Sequence, residues 1–217
     1  KKELFNNACL PCHEDKVKDP VTHTHHPAGS EGGKCVSCHM PMTSFARMNR
    51  SDHSMLPPAP AATIAYQSPN GCTNCHQDRD AEWADKLVRE WRTRDYQAPV
   101  LRRAALIEAA RKRDWTKLPE MIAYINDPEH DAVFAASLIR LIPPSPEQKL
   151  QTALLGAAKD PSPLVRGAAV QALGLVPGLE SLQALIAATA DEYRLVRIRA
   201  AEALAAVPTL TVPPAYQ

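Results

Sequence analysis

From about residue 81 onward the sequence is rich in alanine and leucine and has helical periodicity. Aspartates close successive segments at Asp95, Asp127, Asp160 and Asp191, at intervals of 32, 33 and 31 residues. A constant period in this range is typical of a solenoid built from repeated supersecondary units. This half of the chain is therefore predicted to be an array of α-helical repeats.

The third and fourth repeat units share the pattern LVRxxAxxAL, which begins at Leu164 and again at Leu195. The first unit keeps part of the pattern in Leu101 and Arg102, and the second has lost the arginine. Each unit is predicted to be a pair of antiparallel helices, as in HEAT-like repeats, which contact only their neighbours. The predicted pairs are 81–94 with 98–111, 117–126 with 130–142, 146–159 with 162–175, and 179–190 with 192–206. The proline-rich tail from Pro208 is expected to be extended.

Residues 1–80 follow a different pattern, because they are rich in His, Pro, Gly, Asn and Met and have weak apolar periodicity. Clusters such as Pro57-Pro58-Ala59-Pro60 are turn and loop signals. Such a segment buries too little side chain to fold alone. The predicted domains are residues 1–80, rich in loops, and residues 81–217, helical, so the fold class is mainly α.

Composition narrows the possible functions. The formal net charge is +1 over 217 residues, which gives no reason to expect a nucleic-acid binder. No run of about 18 apolar residues occurs, so no transmembrane segment is predicted. Aromatic residues make up only 5% of the chain, which fits a core filled by something other than Phe and Trp.

All the cysteines belong to one repeated motif, CxxCH, with no cysteine left over. The three copies are Cys9-Leu-Pro-Cys12-His13, Cys35-Val-Ser-Cys38-His39 and Cys72-Thr-Asn-Cys75-His76. In this motif two thiols add to the vinyl groups of one porphyrin, and the adjoining histidine binds the iron, so three haem c groups are predicted. A redox dithiol, a zinc knuckle or a disulfide framework would not require a histidine after every second cysteine.

Haem attachment of this kind takes place outside the cytoplasmic membrane, so we expect an exported, periplasmic or extracellular protein whose signal peptide is not shown. The haems would form the core of residues 1–80, with their ligand bonds as staples. The protein without haem is therefore expected to be largely unfolded in this segment.

The second axial ligand of each iron determines what that iron does. Four histidines outside the motifs lie in the haem segment, where three are needed, so the sequence favours bis-histidine ligation: they are His23, His25, His26 and His53. The remaining histidine, His130, is expected to be exposed near a helix N-terminus. Four methionines are competing ligands, which would give a higher potential: Met40, Met42, Met48 and Met55.

The order of these motifs resembles a family of exported multihaem c-type cytochromes, over roughly residues 9–92. In that family an HxxH pair precedes CxxCHMP, an HS motif follows, and a last CxxCH leads into a helix with tryptophans, here Trp83 and Trp91. The resemblance implies electron transport, with His23, His26 and His53 as distal ligands. The additional His25 leaves the choice between His25 and His26 open.

The leading hypothesis is therefore an exported electron carrier and not an enzyme, with a helical-repeat domain that docks redox partner proteins or other cytochromes. Homo-oligomers or filaments with stacked haems are a further possibility. The alternative is a multihaem enzyme with one open iron that acts on a small nitrogen or sulfur compound. Residues 81–117 carry ten Lys or Arg against six acids, which we interpret as a solvated helix face rather than a steering surface.

The first prediction concerns the number of haems. Because each CxxCH motif holds its porphyrin by thioether bonds, an intact mass spectrum should show three haem adducts on one polypeptide. A spectrum with fewer than three adducts would overturn the prediction.

Overall fold

The structure is a computed structural model that describes residues 4–144 and 148–207. The chain divides into two compact units, residues 1–101 and 102–217. The boundary predicted after residue 80 lies inside the first unit. The mainly α architecture is confirmed. In the parts of the chain described, no helix is long and apolar enough to cross a membrane.

The first unit contains short helices separated by turns. Its α-helices are α1 (Leu4–Asn7), α2 (Leu10–Lys18), α3 (Pro20–Thr24), α4 (Cys35–His39), α5 (Pro60–Tyr66) and α6 (Ala81–Trp91), with a short 3-10 turn at Glu31–Gly33. Local sequence explains two of the starts, since Pro20 opens α3 behind an Asp19 cap and Asp80 caps α6.

A β-hairpin also lies in this unit, in a segment whose sequence shows only turn and loop signals. Its strands are β1 (Met42–Phe45) and β2 (Met48–Ser51), paired antiparallel. The two-residue loop between them has φ values of 49° at Ala46 and 64° at Arg47, as a type I′ turn requires. Neither residue is the Gly or Asn that usually marks such a turn, so the sequence pattern did not reveal the hairpin.

Helix α6, which the sequence assigned to the repeats, packs on α5 in the first unit. Small side chains permit the close approach, since Ala61, Ala62 and Ala84 are all buried. The buried Gln97 side chain bridges the two helices, because its Oε1 accepts from Ala61 N and its Nε2 donates to Asp85. This polar bridge and the alanine contact explain why α6 belongs to the first unit.

The second unit is a stack of helix pairs. Its helices, after α7 (Ala98–Arg111), which crosses the boundary between the units, are α8 (Leu118–Ile125), α9 (Ala132–Leu141), α10 (Gln148–Ala157), α11 (Pro163–Leu173), α12 (Leu179–Ala188) and α13 (Arg194–Ala205). Helix α10 contacts α8 and α12, while α11 contacts α9 and α13, so the first and second helices of the repeats form two layers. The start of the predicted helix 146–159 and the tail from Pro208 lie outside the described residues.

The core of this unit is a continuous aliphatic seam with small residues at the crossings. Met121, Leu138, Leu150, Val165 and Leu173 are almost completely buried. Alanines at Ala135, Ala169 and Ala200 have no exposed surface, which lets neighbouring helices approach closely. The LVRxxAxxAL pattern thus places its valine and an alanine in the core.

Polar links join successive repeats at buried positions. Arg166 of α11 binds the carboxylate of Asp191 through Nε and Nη2, at 2.8 and 3.0 Å, and donates from Nη1 to the carbonyls of Asp160 and Pro161. Arg103 of α7 also forms an ion pair with an aspartate of the following repeat, since its Nη1 lies 3.7 Å from Asp131 Oδ2. Each link therefore runs from one repeat to an aspartate of the next.

His130 supplies the link in the repeat that lacks the arginine. Its Nε2 lies 3.3 Å from Asp160 Oδ2, and only 7% of its side chain is exposed. The expectation that His130 is an exposed residue is therefore wrong, since it fills the position between repeats that Arg166 fills one repeat later.

The second prediction tests the link made by Arg166. Replacing Arg166 by Leu leaves the nearly buried Asp191 without a partner, so the free energy of unfolding at pH 7 should fall by about 3 kcal/mol. The measurement is urea unfolding of the holo-protein followed by helical circular dichroism.

The matched control is Arg199→Leu, which removes a more exposed pair with Glu202 and should cost less than about 1 kcal/mol. The pH gives a second check. The hydrogen bonds from Arg166 lower the pKa of Asp191, so the stabilisation is complete above the unfolded-state pKa of an aspartate and is lost as pH falls through the lower folded value. The difference between wild type and Arg166→Leu should therefore shrink at pH 2. An equal cost for the two variants at pH 7 would contradict the prediction.

Candidate functional site

The three CxxCH motifs all lie in the first unit. Helix α2 begins directly after Cys9 and contains Cys12 and His13, and the second motif forms α4. The third motif, Cys72 to His76, forms a turn between α5 and α6, where His76 N donates to Cys72 O. At His13 the backbone leaves helical geometry, with φ −129° and ψ 44°, so α2 is kinked at the predicted iron ligand.

Contacts between motifs bring them together in chain order. Asn6 connects the first two, because its Nδ2 donates to Gly33 O and its Oδ1 accepts from Cys35 N. The neighbouring Cys9 thiol also raises the pKa of Cys35. The second motif meets the third at Cys38, whose carbonyl oxygen would lie 3.5 Å from a Cβ at Gly71. The second motif thus lies next to both of the others.

Burial makes these thiols poor acids. It raises the pKa of Cys38 to about 11, with a further contribution from the neighbouring Cys72 and Cys75 thiols. Burial also raises the pKa of Cys72 and, together with Cys9, that of Cys35. Reactive dithiols and zinc ligands need a lowered thiol pKa, so this environment does not favour either alternative.

Two of the predicted distal histidines face histidines of the motifs. The ring centroids of His23 and His39 are 6.2 Å apart, with planes inclined by 13°. Those of His26 and His76 are 5.9 Å apart, inclined by 41°. An imidazole–metal bond is about 2 Å long and the nitrogen lies about 1 Å from the ring centroid, so two imidazoles on one metal ion have centroids about 6 Å apart. Both pairs have the spacing that one shared iron requires.

Hydrogen bonding and packing fix the ring of His26. Its Nδ1 lies 2.6 Å from Thr24 O, which leaves Nε2 for a metal, the usual arrangement of a ligand histidine. The backbone of Gly32 lies against the ring so closely that a Cβ at this position would overlap it. Glycine is therefore required at residue 32, a constraint that no motif in the sequence indicates.

His25 has a different role from its two neighbours. It follows the last residue of α3 in the left-handed conformation, with φ 58°, so the chain turns there. Its ring stacks on Trp91 with a centroid distance of 4.2 Å and an interplanar angle of 16°. This turn directs His23 and His26 toward different motif histidines while His25 packs on α6.

The C-terminal end of α6 also holds His23. Arg92 Nη2 donates to His23 O at 2.8 Å. Burial, and then the charge of Arg92, lowers the pKa of His23, which favours the neutral imidazole that binds metals. Trp83 packs on His76, with centroids 4.9 Å apart. The sequence placed the tryptophans only in a helix after the last motif. It did not reveal the role of Arg92, because the contact with His23 joins residues 69 positions apart in the chain.

In the part of the chain that the structure describes, the rings of His13 and His53 do not face each other. Among the described residues, no imidazole or aromatic ring faces either of them. His53 is exposed, and its Nδ1 lies 2.8 Å from Ser51 O, which leaves its Nε2 available as in His26. Met42, Met48 and Met55, considered as alternative ligands, have exposed fractions of 56%, 57% and 62%.

Comparison with known protein families matches both halves of the chain. Residues 21–117 match the cytochrome c552 family, and residues 131–205 match HEAT repeats. No curated protein and no solved structure matches the chain. The cytochrome c552 match supports covalently bound haem c, an electron-transfer role and redox partners, and its members are typically exported.

The family match also corrects one expectation. Members of the cytochrome c552 family are typically nitrite reductases, so the expectation that this chain is not an enzyme is wrong. Four histidines for three irons favour closed irons, but the number of histidines does not show which of them reach an iron. The two matches, a cytochrome c552 segment at residues 21–117 followed by HEAT repeats at residues 131–205, agree with the resemblance to a multihaem c-type cytochrome followed by HEAT-like repeats.

Proposed function

We propose that the chain is an electron-transfer cytochrome with three haem c groups, two of which are held between pairs of imidazoles. The observation that carries this proposal is the pair of facing imidazoles, His23 with His39 and His26 with His76, at 6.2 and 5.9 Å. The attachment cysteines are Cys9, Cys12, Cys35, Cys38, Cys72 and Cys75, and the motif ligands are His13, His39 and His76.

When bound, each haem supplies a one-electron couple between ferric and ferrous iron. The residues of the chain determine what that couple does. Two imidazole ligands close an iron to small molecules and favour a lower potential than a Met/His pair. His23 and His26 thereby restrict their irons to electron transfer.

The contacts between motifs support a relay in chain order. Asn6, three residues before Cys9, binds the backbone of Cys35, and Cys38 lies against Gly71 just before the third motif, so consecutive attachment sites are neighbours. The proposed relay therefore passes through the second haem. It would exchange electrons with redox partner proteins in the periplasm or outside the cell, while the repeats provide a docking surface. Assembly into oligomers or filaments stays a prediction.

The third prediction distinguishes His26 from its neighbour. Because His26 faces His76, His26→Ala should convert one low-spin haem per chain to a high-spin haem that binds carbon monoxide when reduced. The measurement is magnetic circular dichroism with a carbon monoxide titration of the holo-protein.

His25→Ala is the matched control. It removes an imidazole from the next position, and that imidazole stacks on Trp91, so the spin state should not change. If His25→Ala instead opened an iron while His26→Ala did not, the assignment would be wrong.

A second candidate function is the reduction of a small nitrogen compound at the first haem. Two observations favour it, since family members are typically nitrite reductases and no described ring faces His13. Electrons would arrive from a redox partner through the other two irons, whose ligands are His39 and His76. The competing arrangement has His53 on the iron of His13, through its free Nε2, and gives a relay without a reaction site.

The fourth prediction separates these two arrangements. If the first iron is open, the reduced wild-type protein should bind one equivalent of carbon monoxide per chain and oxidise its haems on addition of nitrite. His53→Ala should then change neither result, because His53 binds no iron.

The opposite result would support the competing arrangement, in which His53 binds the iron of His13 and the protein only relays electrons. Wild type that binds no carbon monoxide, together with His53→Ala that binds one equivalent, would place His53 on the first iron and remove the second candidate. The control is His130→Gln, which changes a histidine in the second unit and should behave as wild type in both assays.

A further inference from the structure

An arginine-lined cleft of about 580 Å³ lies in the second unit, where α7 and α9 end. Its apolar lining is formed by Ala110, Trp115, Leu141 and Pro143. Three arginines provide the polar part of the lining: Arg111, Arg113 and Arg140. Among the residues that the structure describes, no acidic residue lines the cleft.

The three arginines are exposed, and none makes a hydrogen bond or ion pair with an acid in the part of the chain that the structure describes. Two other arginines of the unit are paired with acids, Arg166 with Asp191 and Arg199 with Glu202. Asp114, the acid adjacent to Arg113 in sequence, accepts instead from Thr116. The cleft therefore concentrates positive charge that no acid of the described residues neutralises.

Arg113 has a backbone conformation that arginine disfavours. The end of α7 is a Schellman motif, in which Asp114 N donates to Ala109 O and Arg113 N donates to Ala110 O. This motif places Arg113 at φ 60°, where glycine is the preferred residue. An arginine retained at a strained position in a cleft suggests a role other than stability.

Helix dipoles explain only part of this arrangement. Arg111 is in the last turn of α7 and Arg140 is in the last turn of α9, and cations are favourable at both places. The dipoles do not account for Arg113, which lies beyond its helix, or for the half-buried Trp115 beside it.

We propose that this cleft binds a short acidic segment of a partner protein, with an apolar side chain of the segment against Trp115. Guanidinium groups bind carboxylates through paired hydrogen bonds, and Arg and Trp are the residues most often responsible for binding energy at protein interfaces. Charge complementarity identifies the occupant as acidic, and the apolar lining selects a segment that also carries an apolar residue. This site is independent of how the haem irons are ligated.

The test is calorimetric titration of the holo-protein with two five-residue peptides, Glu-Asp-Phe-Glu-Asp and the neutral Gln-Asn-Phe-Gln-Asn. We expect the acidic peptide alone to bind, with an affinity that falls as salt is added. Arg113→Gly and Arg140→Gln should each weaken binding about tenfold or more, because each removes a charge-assisted hydrogen bond.

The glycine variant also reports on folding. Since glycine suits a φ of 60°, Arg113→Gly should keep or raise the melting temperature while it weakens binding. Arg194→Gln is the matched control, because it removes an exposed arginine of the same unit that does not line the cleft and should leave the affinity unchanged. The proposal is overturned if the neutral peptide binds equally well, if Arg194→Gln weakens binding as much as the cleft variants, or if the acidic peptide fails to bind wild type.

Discussion

Under the proposed ligation, an iron with two imidazole ligands would require two histidines to face each other, and the first unit brings two such pairs of rings together. One histidine of each pair is placed by its CxxCH motif, which leaves the other to be positioned by the fold. His23 and His26 lie on either side of a left-handed turn at His25, so a few residues serve two different motifs. Trp91 and Arg92 hold this turn from α6, and Gly32 leaves room for the ring of His26.

The same requirement explains the contrast between the two units. The first unit buries only small apolar side chains between its helices, chiefly Ala61, Ala62 and Ala84, while Met42, Met48 and Met55 are exposed. Burial of such small side chains contributes little free energy, so covalently attached haem is the natural core of this unit. The second unit has a continuous aliphatic seam and needs no cofactor to bury its helices.

The repeats are joined by buried charge as well as by apolar contact. Arg166 reaches the aspartate between the two helices of the next repeat, and its four hydrogen bonds fulfil most of the donor capacity of the guanidinium. His130 makes the corresponding contact where the arginine pattern is lost. Such paired, hydrogen-bonded charges fix how one repeat is placed on the next, because an unpaired charge at the same depth is strongly destabilising.

The sequence alone determined the features that depend on spacing along the chain. It predicted the haem attachment cysteines and the motif histidines, and it identified the repeat period and most helix bounds of the second unit, since thioether chemistry and helical periodicity are local constraints. The tertiary structure decided which segments meet. Helix α6 packs in the first unit, His130 pairs with Asp160, and the ring of His25 stacks on Trp91. Among the described residues, no ring faces His13. These outcomes depend on contacts between residues far apart in the chain, and the spacing of residues along a sequence does not specify which of them will share a neighbour in the folded protein.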